Sequence, residues 1–387
     1  MRLAAASFRL LLVSAALLAA ACDDRPELVG PQEPPTADDG GAGRAAVRQD
    51  GEGGLEVAGS PHWADGYLLS DLTNASSYTP SPSYSFNRAA RLGGAITIAQ
   101  PSGTTGRYIA TFPNLSGLLG VRSTVHVSVY YGSYVPRYCK PAGAALATDK
   151  IEVRCFDART GAPAPAQFGL LLTRNYADLA FAYAHQPTGT NYSPAASASW
   201  NPAGTSTVVR SGTGQYRVAF NGLGAQLPPD VLGHVQVQAV GTGNAYCNPM
   251  NWYTSGSNLS VDVRCYTTPT GALVDQKFNV FFALPSDHLA YAFADQPLVA
   301  SYSPKPYFSS NPYRTPITIT RRGVGLYKVE WPGMNNELLG YGNIQVSAYG
   351  GNALCLVESR SVTAAFISCT AANGTAADSK FTALLGS

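Results

Sequence analysis

Apolar and polar residues alternate with a period of two over much of the chain. In GQYRVAF (214–220) and HVQVQAV (234–240) the apolar residues occupy every second place, which puts them on one face of a strand. Val, Tyr, Phe, Ile and Thr dominate these runs, and Gly, Pro, Asn and Ser separate them. That is the composition of short strands joined by turns. No stretch after residue 22 carries a persuasive helical period, so the pattern predicts an all-β chain.

The alternating runs recur three times. GRYIATFPNL (106–115), GQYRVAFNGL (214–223) and GLYKVEWPGM (325–334) share Gly, any residue, then Tyr. TVHVSVYYG (124–132), HVQVQAVGTG (234–243) and NIQVSAYGG (343–351) come next, followed by IEVRCFDARTGAP (151–163), VDVRCYTTPTGAL (261–273) and AFISCTAANGTAA (365–377). DLAFAYAHQPTGTNYSP (178–194) and HLAYAFADQPLVASYSP (288–304) align without a gap, and copy one opens more loosely, ending in SSYTP (76–80). Repeats of this size are whole domains, since roughly 100 residues can enclose a core. About six short strands are expected per copy, the copies spanning 59–173, 174–285 and 286–387. The predicted architecture is three tandem antiparallel β-sandwich domains, immunoglobulin-like, with a small barrel as the alternative. The links near Thr173–Asn175 and Pro285–Asp287 are very short, which predicts touching neighbours and a stiff array.

Seven Cys divide into Cys22 plus two per copy: Cys139 with Cys155, Cys247 with Cys265, and Cys355 with Cys369. Pairing within a copy closes short loops, each worth roughly 3 kcal/mol in the chain-entropy model. Oxidised pairs imply an exported location; six buried free thiols are the alternative.

SYTPSPSYSFN (77–87), GGAITI (93–98), the Gly-x-Tyr strand and the VRCF–turn–Gly pattern (153–161) resemble a family of tandem repeats in exported bacterial proteins and lipoproteins. The resemblance covers nearly all of 59–387. It implies no activity, since none is assigned to that family.

The N-terminus changes the picture of where the copies work. Arg2 and Arg9 precede the short apolar run LLLVSAALLAAA (10–21), which has the length of a signal-peptide core and is too short for a conventional membrane span. Small residues before Cys22 resemble a lipobox, although Leu18 lies one place further back than is typical and Ala19 stands in its position. Residues 1–21 are therefore expected to be a signal peptide and Cys22 the lipidated residue, anchoring the protein to the cell envelope; cleavage after Ala21 with free secretion is the alternative. Residues 22–58 are rich in Pro, Gly, Asp and Glu, a composition that predicts a disordered tether. Nine acidic and three basic residues give the tether a charge near −6, which leaves 21 basic and 15 acidic residues in 59–387. No Lys/Arg cluster stands out there, so nucleic-acid binding is not expected.

Candidate chemistry is sparse. There is no Gly-x-Ser-x-Gly, His-Glu-x-x-His, Cys-x-x-Cys or phosphate-cradling loop. The five His share no place across the copies, which favours strand-face or surface roles over metal or catalysis. Asp275 and Asp378 recur after Gly271 and Gly374, but Pro165 stands there in copy one, so capping of backbone donors outranks a calcium role. Asn87, Asn201 and Asn311 recur inside loops that begin at Tyr78, Tyr192 and Tyr302. They are either a ligand loop, with Tyr faces stacked on sugar rings, or Asn side chains pinning their own backbone. Trp252 and Tyr253, inside the middle disulfide loop, are the best candidates for an exposed aromatic contact, while Trp331 takes the core place of Phe112 and Phe220. No metal, cofactor or catalytic residue is expected. The expected function is non-enzymatic: envelope-held β-modules that bind an extracellular ligand, a polysaccharide or a surface protein. A purely structural surface or matrix protein, or a glycan-active enzyme, are the rivals.

Overall fold

The computed structural model of the 387-residue chain describes residues 64–119, 122–130, 135–143 and 148–386, together with two short strands, Arg48–Gln49 and Leu55–Glu56. The chain divides into two compact units, 1–58 and 59–387. In the first, Arg48 pairs with Glu56 and Gln49 with Leu55, antiparallel. The signal segment, Cys22 and the rest of the tether lie outside the described residues.

The second unit is all-β, with several sheets and three disulfides. Copies two and three each supply eight antiparallel strands and copy one supplies nine, where about six were expected. In copy two they are Leu179–Ala184, Asn191–Tyr192, Ser206–Gly212, Gln215–Phe220, His234–Ala239, Ala245–Ser255, Asn258–Thr267 and Phe278–Ala283. A two-residue strand such as Asn191–Tyr192 is too short to show a period, so the sequence hides it. Five strands form one sheet, in the order Asn191–Tyr192, Ser206–Gly212, Gln215–Phe220, Asn258–Thr267, Ala245–Ser255. The other three form a second sheet, with Phe278–Ala283 between Leu179–Ala184 and His234–Ala239. Copies one and three repeat this order, with Ser85–Asn87 added at the edge of the smaller sheet of copy one, and a single parallel bridge, Val357 to Tyr130, joins a sheet of each.

In every copy one apolar cluster draws on both sheets. In copy two Ala180, Val235, Val237, Phe278 and Val280 from the small sheet meet Val208, Val218, Val261 and Cys265 from the large one. The small sheets bury their second faces too. Tyr67, Leu171, Leu179, Phe181, Phe281, Tyr291 and Leu384, from all three copies, form a shared central cluster. This explains why LAFAYA (179–184) and LAYAFA (289–294) lack polar alternation: their Ala residues face their own core while Leu179, Phe181, Leu289 and Tyr291 face the centre.

The disulfides pair as expected, Cys139–Cys155, Cys247–Cys265 and Cys355–Cys369. Each links directly opposed residues of neighbouring strands. The Gly of the Gly-x-Tyr pattern also has a stated cause. Gly106, Gly214 and Gly325 have φ of +66°, +63° and +68°, a region that disfavours other residues. A Cβ on Gly106 or Gly214 would also lie 2.5 or 2.7 Å from the carbonyl oxygen of Cys155 or Cys265.

Candidate functional site

The residues that recur across the copies are occupied in holding the fold. Asn87, Asn201 and Asn311 are buried. Their Oδ1 atoms accept from the backbone N–H two residues on, of Ala89, Ala203 and Tyr313, at 3.0, 3.0 and 3.1 Å. Their Nδ2 groups donate at 2.9, 3.0 and 2.9 Å to the carbonyls of Pro113, Asn221 and Pro332. Each Asn thus ties two loops together, so the pinning alternative describes them and a free amide face for sugar hydroxyls does not.

The Tyr of the Gly-x-Tyr strand anchors a second recurrent element. Tyr216 Oη accepts from Gln276 N at 3.1 Å and Tyr327 Oη from Ser379 N at 3.1 Å. Asp275 binds Arg210 through both oxygens at 2.9 and 2.8 Å and accepts from Gly214 N and Tyr216 Oη. Asp378 repeats this with Arg321, Gly325 and Tyr327. The Arg guanidinium, with the backbone and Tyr donors, lowers both carboxyls to about 2. Copy one has Pro165 in place of the Asp and Gln100 in place of the Arg, so both members of the ion pair are missing together.

Trp252 is not exposed. At 3% exposure, its ring meets Phe293, Phe308 and Tyr349 of copy three edge-on, with centroids 5.0, 5.1 and 5.3 Å away. It locks copy two to copy three, and an aromatic in a short disulfide loop gives no sequence sign of such a partner. Tyr253 is half-buried, with the Arg217 guanidinium 5.7 Å from its ring centroid. Trp331 is fully buried in the core place expected of it.

Polar positions that face the centre link the copies in a closed cycle, a feature sequence reading missed. His234–Ala239 and Asn343–Tyr349 each lie at the edge of a three-stranded sheet, and Ser123–Tyr130 meets its outer neighbour only through the bridge at Tyr130, so backbone groups along all three need partners. Gln238 of copy two accepts from Val127 N at 2.8 Å and donates to Val127 O. Ser128 of copy one accepts from Val346 N at 2.9 Å, and its hydroxyl hydrogen has Gln345 Oε1 at 3.0 Å as its nearer acceptor, with Val346 O at 3.5 Å. Ser347 of copy three accepts from Val237 N at 3.3 Å, and its hydroxyl donates to Gln236 Oε1, with Val237 O at 3.1 Å. Equivalent side chains thus accept from equivalent backbone N–H groups from two to one, one to three and three to two. The legible signal was the recurrence of a polar residue, Ser128, Gln238 or Ser347, at one place of these alternating strands.

His126 and His234 belong to the same strands and are completely buried. His126 lies edge-on to Phe281 at 5.1 Å, and His234 is 5.1 Å from Tyr291. Burial pushes both imidazoles down to about 3, with the neighbouring His126 adding to the effect on His234.

The outer surface is uneven. Among the described residues, eight of the twelve exposed large apolar side chains lie in copy three, so any apolar recognition surface is concentrated there. Tyr313 (54% exposed) packs on Gly333 of the loop that carries Leu339 (51%) and Tyr341 (66%). Among the described residues no three His, Cys, Asp or Glu side chains gather into a metal-holding group, and among them no helix is long and apolar enough to cross a membrane. Comparison with family models, with curated proteins and with solved structures returns no match.

Proposed function

We propose that the protein is a non-enzymatic, lipid-anchored envelope protein whose three β-sandwich domains act as one rigid body and present a recognition surface on the third. The observation that carries this reading is the contrast between recurrent residues, which are internally bonded, and the exposed aromatic surface, which among the described residues belongs to copy three. Tyr rings that are half exposed on fixed loops suit the faces of sugar rings or the apolar anchors of a surface protein. Three disulfides fit an oxidising compartment outside the cytoplasm, and lipid on Cys22 supplies the membrane attachment.

The closed cycle of bonds between copies favours a second reading, a structural surface or matrix protein that offers bulk and rigidity without a ligand. Binding of the full chain to a panel of envelope polysaccharides and to whole cells separates the two. The binding reading predicts saturable binding that falls at least tenfold in a Tyr313→Ser, Tyr341→Ser double variant, with stability changed by less than about 0.5 kcal/mol. Absence of saturable binding to any of them sinks the binding reading and leaves the structural one.

A further inference from the structure

A cavity of about 60 Å³ lies where the three copies meet, lined by residues of all three, with Cys139, Cys247 and Cys355 among them. It is large enough for several water-sized particles. Two cationic side chains, Lys140 and Arg137, line it, and no Asp or Glu does. Lys140 is 1% exposed. Its Nζ donates to the Ala245 carbonyl of copy two at 2.8 Å and lies 5.7 Å from the Phe156 ring centroid. Among the described residues its other two N–H groups find no acceptor, and no carboxylate pairs with it.

The nearest charged groups are already committed. Arg137 lies 3.4 Å from Asp157, a carboxylate that Arg159 shares at 3.6 Å. Arg154, directly opposite Lys140 across the strand pair, is held with Arg107 by Glu152. The other titratable groups facing the cavity are the phenols Tyr138 and Tyr246, both held protonated by burial. A buried ammonium without a counter-ion is costly, and the other copies avoid it: Asn248 and Leu356 stand in the place of Lys140. Asn248 makes the equivalent contact as a neutral donor, to the Ala353 carbonyl at 2.8 Å. The lysine is therefore not needed to close the junction.

We propose that this cavity is a binding site for one small monovalent anion, of halide to nitrate size, with Lys140 as its charge partner. The anion accepts from the two uncommitted N–H groups of the ammonium and balances its charge. Burial alone lowers the Lys140 amine to about 7, so binding of the anion takes up a proton when the amine starts neutral. Affinity then falls about tenfold per pH unit above that value.

The test is the thermal midpoint of the purified full chain titrated with sodium bromide, at constant ionic strength made up with sodium gluconate, whose anion is too large to enter. A saturable rise is expected at pH 6, with an apparent dissociation constant at least thirtyfold weaker at pH 9. Lys140→Met is expected to remove the saturable rise and to raise the midpoint in bromide-free buffer at pH 6. Bromide-soaked crystals should show an anomalous peak in the cavity that Lys140→Met lacks. A bromide response unchanged in Lys140→Met, or no saturable response in the parent chain, overturns the proposal. Should Lys140→Met fold poorly, Lys140→Gln, which keeps a neutral donor to Ala245, gives the same reading.

Discussion

Ser128, Gln238 and Ser347 occupy one repeat position, and Arg122, Leu232 and Tyr341 occupy another six places earlier in each copy. At the first position the side chains differ in length yet all satisfy the backbone of a neighbouring copy. At the second the fates diverge, since Leu232 is buried in its own core and Tyr341 is 66% exposed. The inner position is constrained by an unpaired strand edge that must find a donor and an acceptor. The outer position has no such constraint and is free to differ. Trp252 apart, recurrence in this molecule marks what holds the copies together, and departure from recurrence marks where to look for recognition.

Trp252→Ala gives the sharpest break of that contrast. Trp252 is an unrepeated aromatic, yet it works at an inner junction, so its truncation should cost about 3–5 kcal/mol in urea unfolding. A cost below about 1 kcal/mol would mean that the copy two–copy three contact carries little stability, and the division between inner and outer positions would fail.

Acid should strain the centre next. His126 and His234 ordinarily titrate near 6.5 but are held down to about 3. As pH falls the unfolded chain takes up protons first, so stability is complete above 6.5 and is lost progressively towards pH 3. Both imidazoles contribute to that loss, and His126→Leu should flatten part of the slope. A second window comes from Asp275 and Asp378, whose contribution is complete above 3.8 and fades as pH approaches 2.

The smallest effects compare copies two and three with copy one. Asp275→Asn removes the bidentate partner of Arg210 and should cost about 1–2 kcal/mol. The reciprocal graft, Gln100→Arg with Pro165→Asp, should gain no more than about 1 kcal/mol in copy one. Equal and negligible effects of both changes would show that the Tyr hydroxyl alone maintains this corner.

Much of this was legible in the chain. Period-two alternation and the three Cys pairs foreshadowed an all-β fold with short disulfide loops, and the Gly-x-Tyr spacing marked a strand with fixed neighbours. Whether Asn87, Asn201 and Asn311 face a ligand or their own loops could not be read from residue type, because an amide suits both. Trp252 misled for a related reason: its partners Phe293, Phe308 and Tyr349 are far away in sequence, and exposure depends on them. The closure of copy one against copy three was hidden likewise, since short links imply that neighbours touch and say nothing of the two ends of the repeat series. Lys140 was passed over because a single Lys beside a Cys reads as an ordinary surface residue until the strands of two other copies cover it.

Calorimetry of the full chain, disulfides intact, tests most directly whether the inner positions bind the copies into one body. One cooperative transition is expected, with calorimetric and van't Hoff enthalpies in agreement. In Gln238→Leu, which leaves the Val127 N–H and carbonyl without their side-chain partner, that whole transition should move down as a unit. Two or three separable transitions in the parent chain, with Gln238→Leu moving only one of them, would contradict the account.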